Sequence, residues 1–348
     1  MNIYIKDYIN GILLVGTLVL LSVILSKVLE LNNIFISSAF ISIVLGLIIG
    51  NSFGINNQIN VFADLCLKKI LRIGIALLGI GLSLNELIEY GSLSIILIII
   101  NIILVFIIIF YLCKWFKIKN KIGYLIAMGT SICGVTAIIA ISSIIKPTKN
   151  ETSYAVAIIT LFGMATVLFY PYIAYYLFEG KPELAGIFLG TSINDTAQVS
   201  AAGYIYSQID MKDTGLNASI TTKLLRNSFL IILIPLIAFI SNNKENHSIN
   251  GSIKKFFPLF VLGFIMFSLI RSLGDYLIKY DNALIYWNFF IFTIKEFSKY
   301  CIFFAMVSLG LQTDIRSIIL IGTKPLFVGL ISSLAIGSFS IIFLNSIV

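Results

Sequence analysis

The chain has 348 residues, of which 59% are hydrophobic and 11% charged, with a mean hydropathy of +1.02. That balance excludes an ordinary soluble domain, and the long continuous apolar runs select membrane-spanning helices over the alternating short segments of a β-barrel. The net charge of +8 sits in short loops between apolar runs, where basic residues set orientation, so no nucleic-acid partner is implied.

In chain order, spans are expected at about 9–29, 34–50, 65–84, 93–113, 122–145, 153–178, 184–207, 218–241, 256–274, 297–312 and 325–347, each close to the ~20 residues that cross a bilayer. The fold expected is all-α, a single polytopic domain over 1–348 with about 10–11 transmembrane helices. The first run, Ile9 to Leu29, is long and lacks a small-residue cleavage site, so it is read as a retained span. Cys66, Cys113, Cys133 and Cys301 lie in or beside apolar runs without paired spacing, and the single histidine, His247, falls in a polar loop. No metal site or cofactor follows from them. The basic cluster Lys114, Lys117, Lys119 and Lys121 lies on the N-terminal side of the expected topology, which places the N-terminus in the cytoplasm. The stretch from Arg271 to Lys299 opposes this by bringing basic residues to the outer side. Its aromatic run Tyr286–Phe290 reads as an interfacial helix.

Internal repetition comes in two pieces. Ala76, Gly81 and Leu82 are matched by Ala305, Gly310 and Leu311. Gly-Thr-Ser-Ile at 129–132 recurs at 190–193, and each copy is followed by a span containing Pro-x-Ile-Ala, at Pro171 and Pro235. Approximate halves 34–178 and 184–348 are implied, and duplicated bundles with interrupted helices are characteristic of secondary transporters. Eleven spans would make the first pair antiparallel and the second parallel, so either a span is miscounted or one Gly-Thr-Ser-Ile segment is re-entrant.

Gly129 and Gly190 are the expected helix breaks, with Thr130, Ser131, Gly134, Thr191, Ser192 and Asn194 as candidate substrate ligands on the freed helix ends. Close packing of small residues is the alternative. Asp195 with Gln198 is a candidate coupling-ion site, because an ionisable side chain at membrane depth is costly; a buried ion pair with Lys223 or Arg226 is the competing reading. Lys223 and Arg226 share one helical face and would attract an anion, or else snorkel to the interface. Lys68, Lys69 and Arg72 read as interfacial anchors, Gly74, Gly79 and Gly81 as packing surfaces, and Arg271 with Asp275 as a helical pair.

The segments GTSICGVTAIIA, GTSINDTAQVSAAG, KLLRNSFLIILIP and SLGLQTDIRSIILIGTKP resemble, in order and spacing, the YeiH-like sulfate exporter family of bacterial inner-membrane proteins, from about Gly46 onward. The resemblance implies an architecture akin to the bile-acid/sodium symporters, with crossed broken helices, and alternating-access transport. It marks Gly129 to Gly134, Gly190 to Gln198, Lys223 and Arg226 as the site. Two departures stand out: Asn194 occupies a position where the family often has histidine, and Gly81 one where it often has arginine. Sodium coupling or simple exchange is favoured accordingly, with proton coupling left open. The expected function is export of a small anion, such as sulfate or another sulfur oxyanion or organic anion. A channel and a sodium-coupled symporter are the alternatives, and a homodimer is left open. An enzyme is disfavoured, since no activated nucleophile or histidine dyad accompanies Asp195.

Overall fold

Long runs of Leu, Ile and Val with few turn formers wind into helices, because a helix satisfies its own backbone polar groups in lipid. The computed structural model describes residues 2–31, 38–230, 232–233, 236–237, 259–278, 281–313 and 323–347. Pro235, His247 with its loop, residues 314–322 of the second repeat motif and much of the expected span end near 241 lie outside them. The described helices are α1 (Asn2–Leu31), α2 (Ser38–Phe53), α3 (Asn57–Leu65), α4 (Leu71–Leu78), α5 (Leu84–Phe116), α6 (Asn120–Ser131) and α7 (Val135–Ile145). They continue with α8 (Lys149–Leu177), α9 (Pro182–Ser192), α10 (Thr196–Asp210), α11 (Thr214–Ser228), α12 (Leu259–Leu277), α13 (Asp281–Gln312) and α14 (Thr323–Ile347). Among the described residues there is no strand, and five helices, α1, α5, α8, α12 and α14, hold stretches long and apolar enough to cross a membrane. The protein is an all-α polytopic membrane protein.

Two compact units are woven from both halves of the sequence: 1–88 with 200–217 and 259–316, and 89–199 with 218–258 and 317–348. In the first, α2 and α13 meet backbone to backbone at Gly46 and Gly310. A Cβ on Gly74 would lie 2.8 Å from Cys301 Cβ, and one on Gly79 would strike the Phe264 carbonyl. These glycines are packing surfaces of the kind that lets membrane helices approach closely. Arg271 Nε meets Asp275 Oδ2 at 2.6 Å, the expected pair, and Trp287 Nε1 donates to the other carboxylate oxygen at 2.9 Å. The segments expected as an interfacial helix at 286–290 and a separate span at 297–312 are one helix, α13. No glycine or proline stands between Asp281 and Leu309 to interrupt it, and its charged residues are paired, Lys295 with Asp213 at 2.8 Å and Lys299 with Glu296 at 3.2 Å.

In the second unit α6 and α7 form a hairpin rather than one span. The Lys121 ammonium, in the first turn of α6, donates to the carbonyl of Lys146 just past the end of α7 at 2.8 Å. The base of the hairpin therefore closes on one face, and legs of 12 and 11 residues reach only about 16–18 Å at ~1.5 Å per residue. That is about half of a ~30 Å hydrocarbon layer. The expected span at 122–145 is thus a hairpin of two short legs, the geometry of a re-entrant segment. The tip is tight because Gly134 adopts φ +63°, a conformation open to glycine and costly for other residues, and its amide donates back to the Gly129 carbonyl at 3.0 Å.

The same face starts α8, where Thr148 and Glu151 make reciprocal capping bonds and Lys119 lies 3.6 Å from Glu151. α8 then runs away from the hairpin base, and after a short turn α9 comes back from its far end. An apolar core joins these elements, with Ile98 and Val105 of α5, Leu125 and Met128 of α6, Ile141 of α7, Ile158 of α8 and Val328 of α14 among its members. Gly163, against which the Gln198 side chain packs, is the middle residue of α8. The hairpin tip and the end of α9 thus meet at mid-length of a spanning helix.

The hairpin predicts a labelling pattern. Cysteines introduced singly at Asn120 and Asn150 should react with impermeant maleimide from the same membrane face, and one at Glu179 from the opposite face. The four native cysteines are buried and give little background. Opposite-face labelling at 120 and 150 would mean that 122–145 crosses after all.

Candidate functional site

The two interruptions fall at Ile132–Gly134 and Ile193–Asp195, three residues later than the expected breaks. Gly129 and Gly190 lie inside the last turns of α6 and α9. Their lack of a side chain serves packing: a Cβ on Gly129 would come 2.9 Å from Ile159 Cγ1, and one on Gly190 would come 2.6 Å from the Ser219 carbonyl and 2.7 Å from Thr222 Cβ. The glycine that does shape a break is Gly134, where a Cβ would lie 2.9 Å from Asp195 Oδ2. The two breaks are therefore in contact.

A helix end leaves carbonyls without intrahelical partners, and at this depth water does not supply them. α11 supplies them instead. The Lys223 ammonium donates to Ile132 O at 2.6 Å, Ile193 O at 3.0 Å and Asn194 O at 2.6 Å. The Arg226 guanidinium donates through Nε to Ser131 O at 2.7 Å and through Nη1 to Gly190 O at 3.4 Å, Thr191 O at 2.6 Å and Ile193 O at 3.0 Å. Its Nη2 donates to Thr130 O. Lys223 is 0% and Arg226 2% exposed, which removes snorkelling. No ion pair joins either to Asp195 among the described residues within the 4.0 Å limit of a salt bridge. Both cations neutralise the negative ends of two half-helices that approach from opposite faces. All three ammonium hydrogens are committed, and the guanidinium fork is nearly so.

Asp195 and Gln198 are brought together in another role. Asp195 Oδ1 accepts from the Ala197 amide at 2.9 Å while Gln198 Oε1 accepts from the Asp195 amide at 3.2 Å. Asp195 thus caps the start of α10 through the amide two residues on, while Gln198 reaches back to the Asp195 amide, and Asp-x-x-Gln is the sequence signal. Thr191, expected as a ligand, turns its hydroxyl to the Ile187 carbonyl at 2.8 Å and to Ser340 Oγ at 3.3 Å.

The remaining candidates are different. Thr130 Oγ1, Ser131 Oγ, Ser192 Oγ and both polar atoms of the Asn194 amide are buried and have no hydrogen-bond partner among the described residues, nor do Thr222 Oγ1 and Asn227 Oδ1 on α11. Buried polar atoms are hydrogen-bonded in the great majority of cases, so such a concentration within two breaks and the adjoining helix singles this place out as the candidate site. Thr222 and Asn227 carry no motif and were missed by sequence reasoning; their position one residue to either side of Lys223 and Arg226 was the available signal. The position of Gly81 is filled from a neighbouring helix of the first unit, with Lys295 Cε 3.1 Å from where a Cβ would be.

Two substitutions test this geometry. Gly134→Ala places a side chain at positive φ and against Asp195, at a cost of about 1–3 kcal/mol. Arg226→Leu strips donors from buried carbonyls, at a cost of at least about 2 kcal/mol. Both should lower the thermal unfolding midpoint of the detergent-purified protein, Arg226→Leu by more than Arg226→Lys.

A family model described as conserved hypothetical protein 698 matches residues 10–329. Similar curated proteins include the UPF0324 membrane protein FN0533 of Fusobacterium nucleatum, 34% identical with 97% of each chain covered. A UPF0324 membrane protein of Clostridium tetani is 29% identical with 96% of each chain covered, and SAG1125 of Streptococcus agalactiae is 30% identical with 93% covered. No solved structure matches the chain. With nearly its whole length matched, the chain belongs to the conserved hypothetical protein 698 family of membrane proteins.

Proposed function

We propose that the protein is a secondary active transporter of a small anion, such as sulfate or another sulfur oxyanion or organic anion, in a bacterial inner membrane. The observation that carries this reading is the group of unpartnered buried hydroxyls and the Asn194 amide at the meeting point of two interrupted segments. Hydroxyl and amide groups bind an oxyanion through neutral hydrogen bonds. Lys223 and Arg226 outnumber Asp195 among the charged side chains at the crossing, a balance that suits a negative ligand. The two cations attract the anion through their field while their hydrogens hold the scaffold. Asp195 with Gln198 is the proposed seat of a coupling sodium ion or proton.

The re-entrant hairpin also supports a cytoplasmic N-terminus. Because α6–α7 returns to the face it left, every later connection changes side relative to an eleven-span count. Arg271 and the connection that follows it then move to the N-terminal side, where positive charge belongs, while Lys295 and Lys299 lie within α13.

The test uses the neutral candidates, because removing either cation also strips donors from buried carbonyls and would mix stability with transport. In proteoliposomes, Asn194→Leu and the double variant Ser131→Ala with Ser192→Ala should lower saturable uptake of radiolabelled sulfate, sulfite or a sulfonate at least about tenfold. Their unfolding midpoints should hold or rise, since an unpartnered buried polar atom is destabilising in the absence of its ligand. Undiminished flux in both variants would end the assignment of the site.

A further inference from the structure

Three carbonyl oxygens, Ile132 O from the hairpin tip and Ile193 O and Asn194 O from the break after α9, converge on one point at 2.6, 3.0 and 2.6 Å. That point is the Lys223 ammonium nitrogen. Interrupted membrane helices present such carbonyls to coupling cations, and the negative ends of two half-helices deepen the attraction. Here the number of acceptors equals the number of hydrogens on the ammonium. The three acceptors are neutral backbone carbonyls with no carboxylate among them, a set that suits a monovalent cation better than a divalent one.

We propose that Lys223 is a tethered cation in a backbone carbonyl site, which keeps free alkali ions out of this point of the crossing and which, once vacated, binds a monovalent cation of ammonium or potassium size. The inference rests on the carbonyl geometry and stands apart from what the protein carries. A coupling ion, if the carrier uses one, is thereby excluded from these three carbonyls and is left the neighbourhood of Asp195. Arg226 shares Ile193 O at 3.0 Å but draws its other bonds from different carbonyls, so removal of Lys223 leaves the remaining frame of the two breaks held.

The experiment is thermal unfolding of the full-length protein in detergent, with the chlorides of sodium, potassium, methylammonium, n-butylammonium and tetramethylammonium at equal ionic strength. Lys223→Ala should unfold roughly 5 °C or more below the native protein in tetramethylammonium. It should recover most of that loss in n-butylammonium, which replaces both the ammonium and its four-carbon stem, and part of it in potassium or methylammonium. Lys223→Met, whose side chain fills the vacated stem, should lose stability and recover none, and the native protein should respond equally to all five salts. If Lys223→Ala does not accumulate, Lys223→Gln, whose side chain keeps most of the stem space filled and stops short of the carbonyls, is read in potassium and methylammonium against tetramethylammonium, and equal midpoints in those three salts would overturn the assignment. Equal midpoints of the vacated variant in all five salts would overturn the tethered-cation assignment. The readout is stability, so it stands or falls separately from anion flux.

Discussion

A carbonyl oxygen at the end of a helix is a minor matter in water and a costly one in hydrocarbon, and this protein places two such ends against each other at the middle of its second unit. The rest of the arrangement follows from that choice. The donors must come from a third element, they must be long enough to reach both ends, and they must carry charge to offset two negative dipole termini. Lys223 and Arg226 meet all three conditions from one face of α11. α11 is consequently a polar helix in a buried place, with Ser219, Thr222, Lys223, Arg226 and Asn227 all enclosed. Apolar side chains face outward elsewhere, as Ile96, Ile103, Ile107 and Phe110 on the exposed side of α5 illustrate.

Charge within the crossing is therefore divided between support and function. The cations are engaged with backbone, and Asp195 with Gln198 starts α10. Neutral hydroxyls and one amide are left with bonding capacity to spare.

Much of this was legible in the sequence. Composition and run length give the fold class, and the repeated Gly-Thr-Ser-Ile draws the eye to the two segments that are indeed interrupted. What the repeat did not disclose was which residue breaks the helix. Glycine tolerates helix interiors when packing calls for it, and Gly129 and Gly190 do so beside Ile159 and Ser219, while positive φ falls at Gly134. Hydropathy gave no means of separating a 24-residue span from two half-length legs, because both are uniformly apolar; only the contact between Lys121 and Lys146 distinguishes them. The opposed roles of Lys223 and Asn194, one saturated and one unpartnered, depend on three-dimensional neighbours more than 25 residues away in sequence.

The hairpin bears on how the chain enters its membrane. Lys119 and Lys121 precede it and Lys146 and Lys149 follow it, so a spanning segment would force one of these pairs of ammonium groups through the lipid during biosynthesis. A hairpin spares both. In a hairpin whose ends close at Lys121 and Lys146, the flanking charges stay on one side and only the two short legs and the tip need enter the hydrocarbon.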